Sequence, residues 1–151
     1  MSKILFLDVD GVINSLSTTN FHDLYPIDPY MAFLVGRIQL QTGCEVVLSS
    51  SWRYHPEAMQ NVSKRVVELL DKTPDVEWDG VVRHARGRDW LYELRGDEVN
   101  AWLAEHPEVE KYAILDDNSD FYDNQPLFQT TFKDGLTDEI AEKVIEHLGR
   151  I

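Results

Sequence analysis

The chain has 151 residues, 43% of them apolar and 27% charged, the balance of one soluble globular domain spanning 1–151. Its net charge of −13 excludes broad adhesion to nucleic acid, which needs Lys and Arg to neutralise phosphates. Cys44 is the only cysteine, which excludes a disulfide framework and a thiolate metal site.

The first strand is Ile4-Leu5-Phe6-Leu7, a short apolar run of the kind buried on both faces of a parallel sheet. It enters by residue 3, so no leader is expected, and no apolar run approaches the ~20 residues of a membrane span. A cytoplasmic protein with no stable protein partner and no membrane contact is expected. The strand runs into Asp8-Val9-Asp10-Gly11-Val12, two carboxylates followed by a glycine. Two crowded acids repel, so they want a shared cation or a shared proton.

Ile13 to Ile27 is polar and turn-rich, a loop able to flank a site at the strand's carboxyl end. Asp28-Pro29 then starts a helix, with Met31, Leu34, Val35 and Ile38 on one face and Thr42-Gly43 at its end. Cys44 to Leu48 is a second buried strand, ending in Ser49-Ser50-Ser51-Trp52-Arg53. His55-Pro56 opens a helix whose apolar face is read through Met59, Val62, Val66, Leu69 and Leu70, closing at Thr73-Pro74.

Val76 to Val82 reads as a strand interrupted by Asp79-Gly80. Arg83, Arg86, Arg88 and Arg95 follow within thirteen positions, so an anionic ligand would be met locally. A short helix begins at Gly96-Asp97, carries Val99, Trp102 and Leu103, and stops before Pro107. Lys111 to Leu115 is an apolar strand ending in Asp116-Asp117. A strand at Leu127–Phe132 and a helix capped by Gly135-Leu136-Thr137, with Ile140, Val144 and Leu148 inward, complete the chain. Strands alternating with helices predict a three-layer, doubly wound parallel α/β sheet.

In such a sheet the carboxyl ends of the strands share one edge. Asp8 and Asp10, Ser49 to Ser51, and Asp116 and Asp117 therefore converge. Four carboxylates at one rim call for a hard divalent cation, and oxygen-only ligands favour Mg²⁺ over zinc or copper. Serine hydroxyls and an arginine suit the oxygens of a phosphate.

Taken in order, these motifs resemble the haloacid dehalogenase (HAD) superfamily. Asp8-Val9-Asp10-Gly11-Val12 matches its first motif and Val46-Val47-Leu48-Ser49 its second. Arg95 stands for its basic third, and Ile114-Leu115-Asp116-Asp117 matches its acidic fourth. L-S-S-S-W-R, R-G-D-E-V-x-x-W-L, L-D-D and D-G-L-T are similar, more narrowly, to small HAD domains of polynucleotide end-repair enzymes. The resemblance implies Asp8 as nucleophile and Asp10 as general acid and base. It implies Mg²⁺ held by Asp8, Asp10 through its carbonyl, and Asp117, with Asp116 orienting the site. Ser49, Ser50, Arg53 and Arg95 would bind the substrate phosphate.

The expected activity is a Mg²⁺-dependent phosphomonoesterase working through an aspartyl-phosphate, acting on a nucleotide or on the 3′-phosphate of a polynucleotide end. The intervals after the first and second motifs leave little room for a cap, so the site is expected to be essentially capless and open. The alternatives are a nucleotidase for free nucleoside monophosphates and a HAD-fold binding module without chemistry.

Overall fold

Successive residues of the central strand point to opposite faces, and here both faces are apolar. β1 (Ser2–Leu7) turns Leu5 and Leu7 to one core, with Leu34, Val35 and Ile38 of α1 (Pro29–Thr42) and Val144 and Ile145 of α4 (Asp138–Leu148). It turns Ile4 and Phe6 to a second core with Val99 and Trp102 of α3 (Leu94–Ala104). This is what helices packed on both sides of a sheet require. The description comes from a computed structural model and covers residues 2–18, 24–78, 81–83 and 94–151.

Five parallel strands lie in the order β3-β2-β1-β6-β7, with β2 at Glu45–Leu48, β3 at Leu69–Lys72, β6 at Val109–Asp116 and β7 at Leu127–Gln129. α2 (Pro56–Arg65) adds Ala58 and Val62 to the core shared with α1. The predicted α/β architecture is the observed one. Helix ends follow the residues that announced them: Asp28 accepts from the backbone N–H of Tyr30 and Met31, and Gly43 closes α1 at φ 73°. Thr137 caps α4 through the N–H of Ile140.

Three expectations are corrected. Leu69 and Leu70 do not continue α2; they open the edge strand β3. Their spacing from Val62 and Val66 mimics a helical face, and a four-residue edge strand exposed beyond the half-buried Leu69 carries no alternation to betray it. Val76–Trp78 (β4) and Val81–Arg83 (β5) pair antiparallel as a separate hairpin outside the main sheet. β7 stops at Gln129, three residues short of its expected end. Asp79-Gly80, Arg86 and Arg88 lie outside the described residues.

Candidate active site

Register fixes the centre of the site. Leu7 of β1 lies opposite Leu48 of β2 and Leu115 of β6, so the next residues along each strand, Asp8, Ser49 and Asp116, emerge side by side. The ladder carries on through them: the N–H of Asp8 donates to the Leu115 carbonyl at 3.0 Å, and that of Ser49 to the Leu7 carbonyl at 2.8 Å. All three residues are at least 95% buried.

Arg95, on the first turn of α3, reaches into this group. Its Nη1 donates to Asp8 Oδ1 at 2.9 Å, to Asp116 Oδ2 at 3.0 Å and to the Ser49 carbonyl at 2.7 Å. Gly96 allows the helix to come so close. A Cβ there would press on Gln125 Oε1 and the Phe121 backbone, while its N–H donates to the Asp120 carbonyl at 3.0 Å. Gln125 in turn donates from Nε2 to the Gly96 carbonyl and to Asn100 Oδ1. The loop after β6 thereby locks the helix that carries Arg95.

One oxygen each from Asp8, Asp116 and Asp117 lies within 4.8 Å of the others, a group that could hold a metal ion. Gly11 is shaped around it. Its φ is +81°, and a Cβ would collide with the Asp117 carboxylate. Thr130 Oγ1 donates to the Gly11 carbonyl at 2.5 Å and holds the turn in place.

The charges are out of balance. Burial pushes the Asp8 carboxyl up to about 6; the Arg95 guanidinium pulls it down and the Asp117 carboxylate adds to the rise. Burial, followed by the charge of Asp8, holds Asp116 well above the ordinary carboxylate range. Burial alone would lower the pKa of Arg95, but Asp8 and Asp116 outweigh it and keep the guanidinium charged. Three carboxylates against one guanidinium favour a further cation, and their hard oxygen donors suit a divalent ion of the Mg²⁺ type.

Asp10 lies beside this centre with both oxygens held. Asn14 Nδ2 donates to Oδ1 at 3.0 Å, and the indole Nε1 of Trp52 to Oδ2 at 3.3 Å. Asn14 also accepts the N–H of Gly11 and donates to the Pro26 carbonyl, so it ties the turn to the following loop. Ser49 Oγ is fully buried without a hydrogen-bond partner among the described residues. A buried hydroxyl left in that state favours an arriving acceptor.

Ser50 and Arg53 are placed differently. Ser50 Oγ accepts the N–H of Trp52 and caps the 3₁₀ turn Ser51–Tyr54. Arg53 is buried, and its guanidinium is spent on protein groups: the Ser50 carbonyl, Tyr54, Asp75 at 3.0 Å and Glu98 at 2.7 Å. Any phosphate bound by Arg53 would compete with these partners. Because Glu98 lies one turn beyond Arg95, the Arg53–Glu98 pair braces the turn after β2 against α3.

Sequence reasoning had no signal for Glu98, Gln125 or Thr130, since each acts through a partner distant in sequence; Asn14 acts on its near neighbours Asp10 and Gly11, but from within a polar loop where no pattern singles it out. For Trp52 the signal was its place just after Ser49 to Ser51, but not its donation to Asp10.

Glu98 carries a pH prediction. Burial pushes its carboxyl up to about 7, against the pull of Arg53 and Arg95. Between the unfolded value of 4.5 and about 7, the folded chain holds a proton that the unfolded chain has released. Stability is therefore lost as pH rises through that window, by up to about 3 kcal/mol from this group. Denaturation of metal-free protein at pH 5 and pH 8 should show the loss, to which the raised Asp8 and Asp116 carboxyls add in the same direction, and Glu98→Gln should remove the share that belongs to Glu98. An unchanged pH slope in the variant would refute the assignment.

A sequence model of the family described as "HAD domain in Swiss Army Knife RNA repair proteins" matches residues 4–141. No curated protein and no solved structure matches the chain.

Proposed function

The chain belongs to the family of HAD domains in Swiss Army Knife RNA repair proteins, and on that premise we propose that it is a Mg²⁺-dependent phosphomonoester hydrolase for nucleotide or polynucleotide-end phosphates. The observation that carries the reading is the meeting of Asp8, Ser49, Arg95, Asp116 and Asp117 at three adjacent strand ends, with Asp10 beside them.

Asp8 attacks phosphorus in line, its carboxylate oxygen forming an aspartyl-phosphate as the ester oxygen departs. Asp10 gives that oxygen a proton, then takes one from the water that hydrolyses the intermediate. Trp52 and Asn14 hold Asp10 in one orientation for both transfers. Ser49 Oγ donates to a phosphoryl oxygen, which its unpartnered state supports. Arg95 aims Asp8 and offsets the charge of Asp8 and Asp116. Asp8, Asp117 and the Asp10 carbonyl would hold Mg²⁺, with Asp116 in support; when bound, the ion supplies neutralisation of charge on the transferring phosphoryl group. The family's association with RNA repair supports a nucleic-acid end as the substrate.

Mg²⁺ binding should raise the melting temperature, because the ion would bind the native carboxylates and not the unfolded chain. At a hundredfold excess over Kd the gain is about 2.7 kcal/mol. Asp117→Ala should remove most of that gain and most phosphate release from an aryl phosphate. An equal Mg²⁺ shift in the variant would remove Asp117 from the metal site, and Mg²⁺-independent release would refute the reading.

A further inference from the structure

A general acid must face the oxygen it protonates, so whatever adjoins Asp10 flanks the leaving group. Asn14 adjoins Oδ1 of Asp10, and what adjoins Oδ2 is aromatic. Trp52 Nε1 sits 3.3 Å from Asp10 Oδ2, the Tyr25 ring lies 5.2 Å from that of Trp52, and His55 lies 6.2 Å beyond Tyr25 at 36°. Exposure rises along the row: Trp52 is 6% exposed, Tyr25 half-buried and His55 exposed. The rings come from separate elements, the loop before α1 and the turn after β2, and they meet on this one side of the site.

We infer that Tyr25 and His55 form the stacking subsite for the nucleobase of the leaving nucleoside, an inference that rests on the reaction proposed above. In a nucleotide the ribose interposes one ring between ester oxygen and base. Trp52, which contacts both Asp10 and Tyr25, likewise links Asp10 to the Tyr25–His55 pair through one ring system. Stacking also suits this molecule's charge. A chain of net charge −13 gains little from tracking phosphates, whereas a π-face recognises any base without a cation. His55 is open for the purpose: it precedes Pro56 at the start of α2, yet its side chain makes no capping bond to that helix. A second candidate is already taken: Trp102 and His106 are stacked at 3.6 Å, and His106 Nδ1 is bonded to the Trp102 carbonyl. That pair is closed on itself.

The test compares a nucleoside 5′-monophosphate with ribose 5-phosphate, which leaves through the same alkoxide but lacks the base. The kcat/KM ratio should favour the nucleotide by roughly 5- to 100-fold, the scale of one base–aromatic stack. His55→Ala should cut the ratio severalfold, and His55→Phe, which keeps a π-face without the imidazole nitrogens, should restore it. Three results would overturn the subsite: a ratio near one, a ratio untouched by His55→Ala, or a loss in His55→Phe equal to that in His55→Ala. Equilibrium binding of the two phosphates gives the same ratio without turnover. A missing Mg²⁺-dependent phosphatase activity would sink the reaction, while the binding ratio would still judge the subsite.

Discussion

Asp8→Asn should lower the turnover of every phosphate ester by a factor on the order of 10⁴ or more, the scale seen when an enzyme loses its nucleophile. The amide keeps the shape of the carboxylate but offers no anionic oxygen to phosphorus. Folding should survive, because Arg95 keeps Asp116 at 3.0 Å and the Ser49 carbonyl at 2.7 Å. Asp10→Asn should fail in another way. Single-turnover measurements of the first step should show the largest loss with alkyl phosphates, whose leaving oxygen needs a proton. An aryl phosphate needs less protonation and should lose less. Equal losses on both substrates would remove Asp10 from the acid role.

The second large effect is on stability. Arg95→Met should cost about 3–5 kcal/mol, the range for breaking a buried ion pair by deleting one partner. The reason is local: Nη1 spans Asp8 and Asp116, both at least 95% buried, and without it two buried carboxyls are left without their cation. Mg²⁺ should return part of the loss, since the cation would take over some of the neutralisation. Urea denaturation with and without Mg²⁺ checks both statements. Wild-type stability in metal-free Arg95→Met would mean that the guanidinium is not what balances these acids.

Much of the fold was legible because its central strands are short apolar runs ending in chemistry. Ile4–Leu7, Val46–Leu48 and Ala113–Leu115 need burial on both faces, and a parallel sheet is what provides it. Once those strands are adjacent, Asp8, Ser49 and Asp116 meet by register alone. Arg95 could be placed on a helix start by its motif, but its depth in the site depends on Gly96 and Gln125, a fit between α3 and a loop that spacing does not encode. β3 was hidden because edge strands need no pattern, and Leu69 and Leu70 happened to extend the face of α2. Arg53 looked free to meet a ligand, since nothing in its neighbourhood predicts Glu98, 45 residues away, as its buried partner. Long-range polar pairing is the part of this site that one-dimensional pattern carries least.

The central claim is that phosphate passes through the Asp8 carboxylate. Its most direct test is to incubate Asp10→Asn protein with an aryl phosphate and Mg²⁺, quench in acid, and measure intact mass and peptide fragments. Loss of the base should slow hydrolysis of the intermediate more than its formation from an aryl ester. The account predicts a gain of one phosphoryl group, located on Asp8, dependent on Mg²⁺ and absent when Asp8→Asn is added. A phosphoryl group on any other residue, or labelling that persists without Asp8, would contradict it.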